Sequence, residues 1–305
     1  MRQLVTIQPC LEFMFQIGQN SSPQRMIHTM YMLYESVKGR VHQCFTLNHM
    51  SSSIVNEPDQ MLAQAARDLK TLASKVENDV NWNSITFFGE LSSIGTPLSE
   101  LVVTIGWLKS ESNKFGISIR LVCLIETSLT DLKMIARKCI TETDDSLCWA
   151  QLTHRFITPL LYSRQYPQAY QDIYYLSKRY STVDIGDELG LFLSLWRDAI
   201  RTIGWWNYVG LKFVSQLNQD LGSHSDPLSD LEIKFTKSGG LILDIDCEPT
   251  NGDINRQASL PKGLYSAYRL LERFIPAEGV DFLRPWDSEE SIHWLHRWRD
   301  ISYYG

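Results

Sequence analysis

The sequence predicts an α+β protein whose antiparallel sheet or sheets are built from long hairpins and flanked by helices. Two regions, 101–125 and 231–247, each hold a pair of β-like runs joined by a short polar segment. Two other segments, Met61–Val76 and Thr130–Ile140, repeat apolar residues at helical spacing. Hairpins and helices that follow one another in this way are typical of the α+β class.

The hairpin near the C-terminus is the best defined element. Leu231–Lys237 alternates apolar and polar residues, Ser238-Gly239-Gly240 suits a tight turn, and Leu241–Glu248 alternates again. One face of the second strand is apolar, and its other face carries Asp244, Asp246 and Glu248. Pro249 ends the strand, and the loop that follows contains an Asn-Gly pair suited to a positive φ.

The remaining segments are assigned by the same criteria. Extended structure is predicted at residues 4–19, with Pro9 as a breaker, and at 44–54 and 85–91. A helix, or a helix running into a strand, is predicted at 26–41. In the second half, helices are predicted at 147–161, 166–179, 211–221, 265–274 and in the tail from Trp286, whereas 183–195 has no clear period.

Domain organisation is predicted as one globular unit over residues 1–305. The polar connector Thr141–Ser146 is the candidate boundary, but it is short and contains no Pro or Gly. It therefore indicates two lobes that share a core, 1–140 and 147–305, better than two independent domains. Each lobe has a long hairpin and flanking helices, which raises a duplication as an alternative.

Composition indicates a soluble protein of a reducing compartment. No apolar run is long enough to span a membrane, and the N-terminus lacks the core of a signal peptide. The six cysteines show no metal-binding or redox spacing, which favours buried free thiols. These are Cys10, Cys44, Cys123, Cys139, Cys148 and Cys247. We therefore expect a cytoplasmic protein with no membrane partner.

Charge is distributed unevenly between the halves. Residues 1–140 carry 13 Lys+Arg and 12 Asp+Glu, a net charge of +1, whereas residues 141–305 carry 16 and 23, a net charge of −7. Nucleic-acid-binding proteins usually show a basic surface. The acidic half disfavours direct binding of nucleic acid and favours a basic protein partner, with plain solubility as the alternative explanation.

The carboxylates of the hairpin leave two chemical interpretations open. Asp244, Asp246 and the loop residue Asp253 could ligate a divalent cation, as in a metal-dependent hydrolase. The interpretation that we favour is a solvated outer face of an antiparallel sheet, because no catalytic Lys, Gly-rich phosphate loop or His general base lies at a recognisable spacing. We expect no metal, no cofactor and no catalytic residues.

Two groups of motifs resemble the type VI secretion immunity protein family (TsiV-like), first catalogued as a domain of unknown function. Gly204–Gly210 reads GWWNYVG and contains the W-x-x-x-x-G of that family before a helix. Gly239-Gly240-Leu241 and then Pro249–Arg256 give an apolar strand that ends in Pro and a Gly-Asp-x-Asn turn. The structural motif residues are Trp205, Gly210, Gly239, Gly240, Pro249, Gly252, Asp253 and Asn255.

The resemblance covers about residues 196–276, with an insertion near Pro261 and a more acidic strand end than the family pattern. It implies a protein that is not an enzyme and that binds a cognate antibacterial toxin, covering its active or substrate-binding site. Together with the acidic half, it indicates a basic toxin that acts in the cytoplasm as a nuclease. Acidic residues of the C-terminal half are the expected contacts: Asp184, Asp187, Glu188, Asp226, Asp230, Asp244, Asp246 and Glu248.

Overall fold

The computed structural model of the chain confirms the α+β class. Within the residues that it describes, eleven strands form one sheet, and helices cover both of its faces. The described residues are 5–17, 24–48, 52–72, 81–91, 93, 100–107, 115–122, 129–142, 147–158, 167–184, 199–200, 203–217, 231–245, 253, 262–276 and 288–299.

The sheet is antiparallel except at one short strand. Its order is β10-β11-β9-β7-β1-β6-β5-β4-β2-β3, and β8 pairs in parallel with β7. The strands are β1 (Thr6–Ile17), β2 (Gln43–Asn48), β3 (Ser52–Val55), β4 (Asn81–Phe88), β5 (Glu100–Trp107), β6 (Phe115–Val122), β7 (Leu147–Ile157), β8 (Val183–Asp184), β9 (Trp206–Val209), β10 (Leu231–Phe235) and β11 (Leu241–Ile245).

Seven α-helices lie within the described residues: α1 (Gln24–Val37), α2 (Pro58–Leu72), α3 (Leu129–Glu142), α4 (Pro167–Arg179), α5 (Leu211–Leu217), α6 (Lys262–Leu271) and α7 (Ser288–Leu295). Short 3-10 turns follow α1 at Lys38–Arg40 and α6 at Glu272–Phe274. None of these helices is both long enough and apolar enough to cross a lipid bilayer.

The helices of the two halves cover opposite faces of the sheet. Helices α1, α2 and α3 pack with Leu11 and Phe13 of β1 in one buried cluster. Helices α5, α6 and α7 pack with Leu241 and Leu243 of β11 in the other cluster. Because side chains alternate along a strand, one strand can contribute to both clusters. Strand β11 does so, and all five of its residues are buried.

Strands β1 and β7 join the two halves at the middle of the sheet. They pair from Thr6↔Ile157 to Phe15↔Leu147, with a bulge after Met14. Each predicted lobe therefore contributes one long strand to the central pair. The division into lobes 1–140 and 147–305 stays a prediction.

Two predictions about this central pair were wrong. Residues 147–161 were predicted to be helical, but Leu147–Ile157 is strand β7. Nine of its eleven residues are buried, so its sequence lacks the polar alternation that marks a half-exposed strand. Pro9, predicted as a breaker, lies inside β1 opposite His154. The mid-sheet position of a proline is unusual, because proline offers no N–H to the ladder.

Candidate interaction site

The GWWNYVG motif forms β9, which links β7 to the hairpin. Trp205 N–H donates to the Leu152 carbonyl at 2.8 Å, and Gly210 N–H donates to the Cys148 carbonyl at 2.8 Å. The β9 ends approach β7 so closely that a Cβ on Gly210 would lie 2.3 Å from the Leu147 carbonyl oxygen. Trp205 is 1% exposed and packs in the cluster of α5, α6 and α7. The motif therefore anchors the hairpin to the central sheet.

The hairpin turn has the geometry that its glycines predict. Gly239 has a φ of +84°, a conformation that L side chains rarely adopt. Its N–H donates to the Thr236 carbonyl at 3.0 Å, and Thr236 N–H donates to the Gly240 carbonyl at 2.8 Å. A Cβ on Gly240 would collide with the ring of Tyr208. The turn fixes the register of β10 and β11, in which Glu232 lies opposite Asp244.

Asp244 is buried in an ion pair that joins the two halves. The side chain of Asp244 is 9% exposed, and its two oxygens accept hydrogen bonds from Lys133 Nζ at 2.5 Å and Arg137 Nη2 at 3.1 Å. Both cations come from α3, more than 100 residues away in the sequence. The prediction that Asp244 lies on an exposed contact surface was wrong, because its carboxylate connects β11 to α3.

Asp184 is also buried. It is fully buried in β8 and lies opposite Arg155 of β7, which is 2% exposed. The Arg155 guanidinium Nη1 lies 3.7 Å from the buried carboxylate of Glu12 on β1. Burial alone would lower the pKa of Arg155, but the charges of Glu12 and Asp184 outweigh it and raise that pKa. The prediction of Asp184 as a contact residue in an irregular segment was wrong, because the side chain belongs to this internal charge cluster.

The loop residue Asp253 is tied to α4. It is 5% exposed and receives a two-pronged contact from Arg179, with Nε at 3.1 Å and Nη2 at 2.8 Å. Backbone bridging between Asp253 and Tyr180 adds to this attachment. The paired geometry is the one in which arginine holds carboxylates most strongly.

The proposed metal ligands are therefore not assembled as a cation site. Asp244 is neutralised by α3 and Asp253 by α4, and each carboxylate already has basic partners. Among the described residues, no three His, Cys, Asp or Glu side chains come together in a metal-binding arrangement. Asp246, the third proposed ligand, lies outside the described residues.

The other predicted contact and motif residues lie outside the described residues. The acidic residues outside the described part are Asp187, Glu188, Asp226, Asp230, Asp246 and Glu248, and the motif residues there are Pro249, Gly252 and Asn255. These six acidic residues remain predicted contacts. The other two of the eight predicted contacts, Asp184 and Asp244, lie within the described residues and are buried.

The exposed part of the hairpin is β10, the terminal strand of the sheet. Phe235 is 61% exposed although it is aromatic. On the opposite face of the strand, Lys234 Nζ and Glu232 Oε1 form an ion pair of 2.5 Å between half-exposed side chains. This ion pair lowers the pKa of Glu232. Strand β10 is terminal in the sheet that the described residues form, and it has an exposed aromatic ring and accessible charges, which are features of a protein interaction surface.

Sequence reasoning missed the cations that hold these carboxylates. Lys133, Arg137 and Arg179 are ordinary helix positions in the sequence, and nothing local connects them to residues 244 and 253. Glu12 carried a usable signal, since it is a single charge inside an apolar run, CLEFMF. A lone charge in a buried strand requires an opposite charge nearby.

Comparison with solved structures shows a fold that this chain shares with a type VI secretion protein. The Pseudomonas aeruginosa T6SS protein PA0821 has a TM-score of 0.64 with this chain and is 11% identical to it. The superposition covers 98% of this chain and 85% of that one. At this identity the likeness concerns the fold alone, and it extends over both halves.

Comparison with protein families gives a more specific likeness than the fold. Residues 158–298 match TsiV, described as type VI immunity for VRR-NUC. This match includes the whole predicted resemblance, 196–276, and confirms the resemblance to the type VI immunity family that the motifs indicate. A comparison with curated proteins finds no match to the chain.

Proposed function

We propose that this protein binds and neutralises a cognate type VI secretion toxin of the VRR-NUC nuclease type. Neutralisation occurs by covering the active or substrate-binding site of the toxin, with no turnover of a substrate by this chain. The site of action is the bacterial cytoplasm, where a nuclease meets its DNA or RNA. The observation that carries the proposal is the match of residues 158–298 to a family described as immunity for that nuclease.

Charge supports a nuclease as the partner. A nuclease binds a polyanion and therefore presents basic residues around its substrate. The −7 net charge of residues 141–305 is complementary to such a surface and repels the competing nucleic acid. Because Asp184 and Asp244 are internal, the contact surface is built from the other acidic residues. We assign it to the pairs Asp187/Glu188 and Asp226/Asp230, together with Asp246 and Glu248.

Sequestration also fits the chemistry of the described carboxylates. Asp244 and Asp253 each accept hydrogen bonds from cationic side chains. Their oxygens are therefore already engaged and are not open to ligate the metal ion that metal-assisted hydrolysis requires. The proposed role of the hairpin is to hold a binding surface in place.

The test is co-production of the chain with its cognate toxin in a bacterial host. We expect the unaltered chain to restore growth and the purified chain to inhibit cleavage of DNA or RNA by the toxin. Two double variants, Asp187→Lys/Glu188→Lys and Asp226→Lys/Asp230→Lys, should weaken toxin binding in calorimetry, because each reverses two charges that face a basic partner.

The matched control is Glu57→Lys/Glu90→Lys, which reverses two exposed acidic residues of the N-terminal half. It changes the net charge by the same amount and should bind the toxin as the unaltered chain does. Equal binding by all three double variants would contradict the assigned contact surface. Failure of the unaltered chain to inhibit the toxin would contradict the function itself.

A further inference from the structure

Strand β10 ends the sheet with backbone groups that point away from it. Ile245 N–H donates to the carbonyl of Trp205, the residue just before β9, so the odd-numbered residues of β11 bond to β9. Hydrogen-bonding direction alternates along an antiparallel strand. The even-numbered residues of β11 therefore bond to β10, where their register partners are Glu232 and Lys234.

The odd-numbered residues of β10 consequently direct their N–H and C=O groups to the outside. These residues are Leu231, Ile233 and Phe235. The Thr236 N–H bond to the Gly240 carbonyl at the turn gives the same alternation independently. Within the part of the chain that the structure describes, none of the backbone groups of Ile233 and Phe235 has a hydrogen-bonding partner in another strand.

The side chains of β10 are ordered symmetrically about Ile233. The strand reads Leu-Glu-Ile-Lys-Phe, so an acid and a base lie at equal distances on either side of the central residue, with an apolar residue beyond each. Glu232 and Lys234 share one face of the strand, and both are about half exposed. Phe235 is exposed on the other face.

This order makes the strand complementary to itself in the antiparallel direction. When two copies pair about a two-fold axis at Ile233, Glu232 of each copy lies opposite Lys234 of the other. Phe235 then lies opposite Leu231. This register also satisfies the hydrogen bonds of antiparallel pairing, because the outward N–H and C=O groups of Ile233 in one copy meet those of Ile233 in the other copy. The two charge pairs fall at the narrow positions, where cross-strand side chains are closest.

Neighbouring registers are disfavoured by the same charges. A shift that preserves the hydrogen-bonding phase places Glu232 opposite Glu232, or Lys234 opposite Lys234, and like charges directly opposite are destabilising. Edge strands that avoid association usually present charges without such order. Here the charges select one register.

We propose that the occupant of the β10 edge is a second copy of this chain, which forms an isologous dimer centred on Ile233. The sheet then continues from one copy to the other, and the exposed Phe235 ring packs across the junction. The proposal does not depend on the identity of the toxin. It places the dimer contact at the hairpin and leaves the acidic segments outside β10 for other partners.

The test uses charge reversal and its self-complementary repair. Sedimentation of the full chain over a wide concentration range should show a monomer–dimer equilibrium. Glu232→Lys and Lys234→Glu each place like charges opposite each other in the dimer, and each should raise the dissociation constant about tenfold or more. The double variant Glu232→Lys/Lys234→Glu restores opposite charges across the axis and should recover most of the affinity.

The control lies on the other terminal strand, β3, where Ile54 is 50% exposed. Ile54→Glu should leave the dissociation constant unchanged. A chain that stays monomeric at every concentration would overturn the proposal. A dissociation constant that neither single reversal changes would also overturn it. So would a double variant that dimerises as weakly as the single variants. Because Glu232 and Lys234 are exposed, urea unfolding is expected to show intact folding of all variants.

Discussion

Replacing Asp244 by Asn tests whether the hairpin carboxylate holds the two halves together. The variant keeps the size of the side chain but removes the charge that Lys133 and Arg137 of α3 contact at 2.5 and 3.1 Å. Breaking a fully buried ion pair costs about 3–5 kcal/mol. The side chains of Lys133 and Arg137 are 21% and 46% exposed, so water partly compensates them. We therefore expect a loss of about 2 kcal/mol in the free energy of unfolding.

The assay is urea unfolding, with the change read from the midpoint at an unchanged slope. Glu35→Gln is the matched control, because Glu35 also pairs with a lysine, Lys38 at 3.5 Å, but its side chain is 63% exposed. It should leave the midpoint unchanged. Equal midpoints for Asp244→Asn and the unaltered chain would refute the assignment of Asp244 to a structural ion pair.

Three further changes test the interior. Gly210→Ala forces a Cβ to 2.3 Å from a β7 carbonyl oxygen and should cost at least about 2 kcal/mol in urea unfolding, whereas Gly39→Ala, which has open space, should be neutral. Arg155→Met leaves buried carboxylates unpaired and should cost about 3–5 kcal/mol, part of which Glu12→Gln recovers in the double variant. Burial lowers the pKa of His296, so stability should fall as pH drops below about 6.5, and His296→Gln should flatten that pH profile.

The sign of the His296 effect follows from proton binding. The folded state binds the proton less tightly than the unfolded chain, whose histidine has a pKa near 6.5. The contribution of His296 to the free energy of unfolding is therefore fully present above that pH, and it is lost as pH falls toward the folded-state pKa. The ring is held by Tyr268 Oη at 2.6 Å from Nδ1 and by the Pro276 carbonyl at 2.9 Å from Nε2. A profile that stays flat in the unaltered chain would contradict burial of a neutral imidazole there.

Local sequence patterns predicted most of the fold. The alternation in Leu231–Phe235 and Leu241–Ile245 predicted the hairpin, and the Gly pair predicted its turn. The helical spacing in Thr130–Ile140 predicted α3. Strand β10 and helix α3 keep one solvent-facing side, so their periodicity is visible in the sequence. Strand β11 is buried on both faces, and its alternation is visible because Asp244 pairs with cations of α3.

The central strand β7 could not be recognised in the same way. Its two faces are both buried, because helices of the N-terminal half cover one face and helices of the C-terminal half cover the other. Its sequence therefore shows no polar alternation, and a run of eleven residues is long enough for either a strand or a helix. The continuity of the sheet across both halves depends on this strand.

The burial of Asp184 and Asp244 could not be predicted from local sequence patterns. Asp244 sits on a face that looked solvated, but α3 from the other half covers that face. Asp184 stands at the start of a segment without a clear period, 183–195, yet β8 places it beside Arg155. Burial of these charges depends on tertiary contacts, which for Asp244 span more than 100 residues, and local sequence patterns do not reveal such contacts.

The central claim is that this chain acts by stoichiometric binding of a nuclease toxin. Titration of the purified toxin with the chain, followed by cleavage of DNA or RNA, tests it most directly. We expect cleavage to fall in proportion to added chain and to stop at a fixed molar ratio, with Asp244→Asn following the same line at a temperature where it is folded. Complete inactivation of the toxin by a small fraction of an equivalent, or undiminished cleavage at excess chain, would contradict the account.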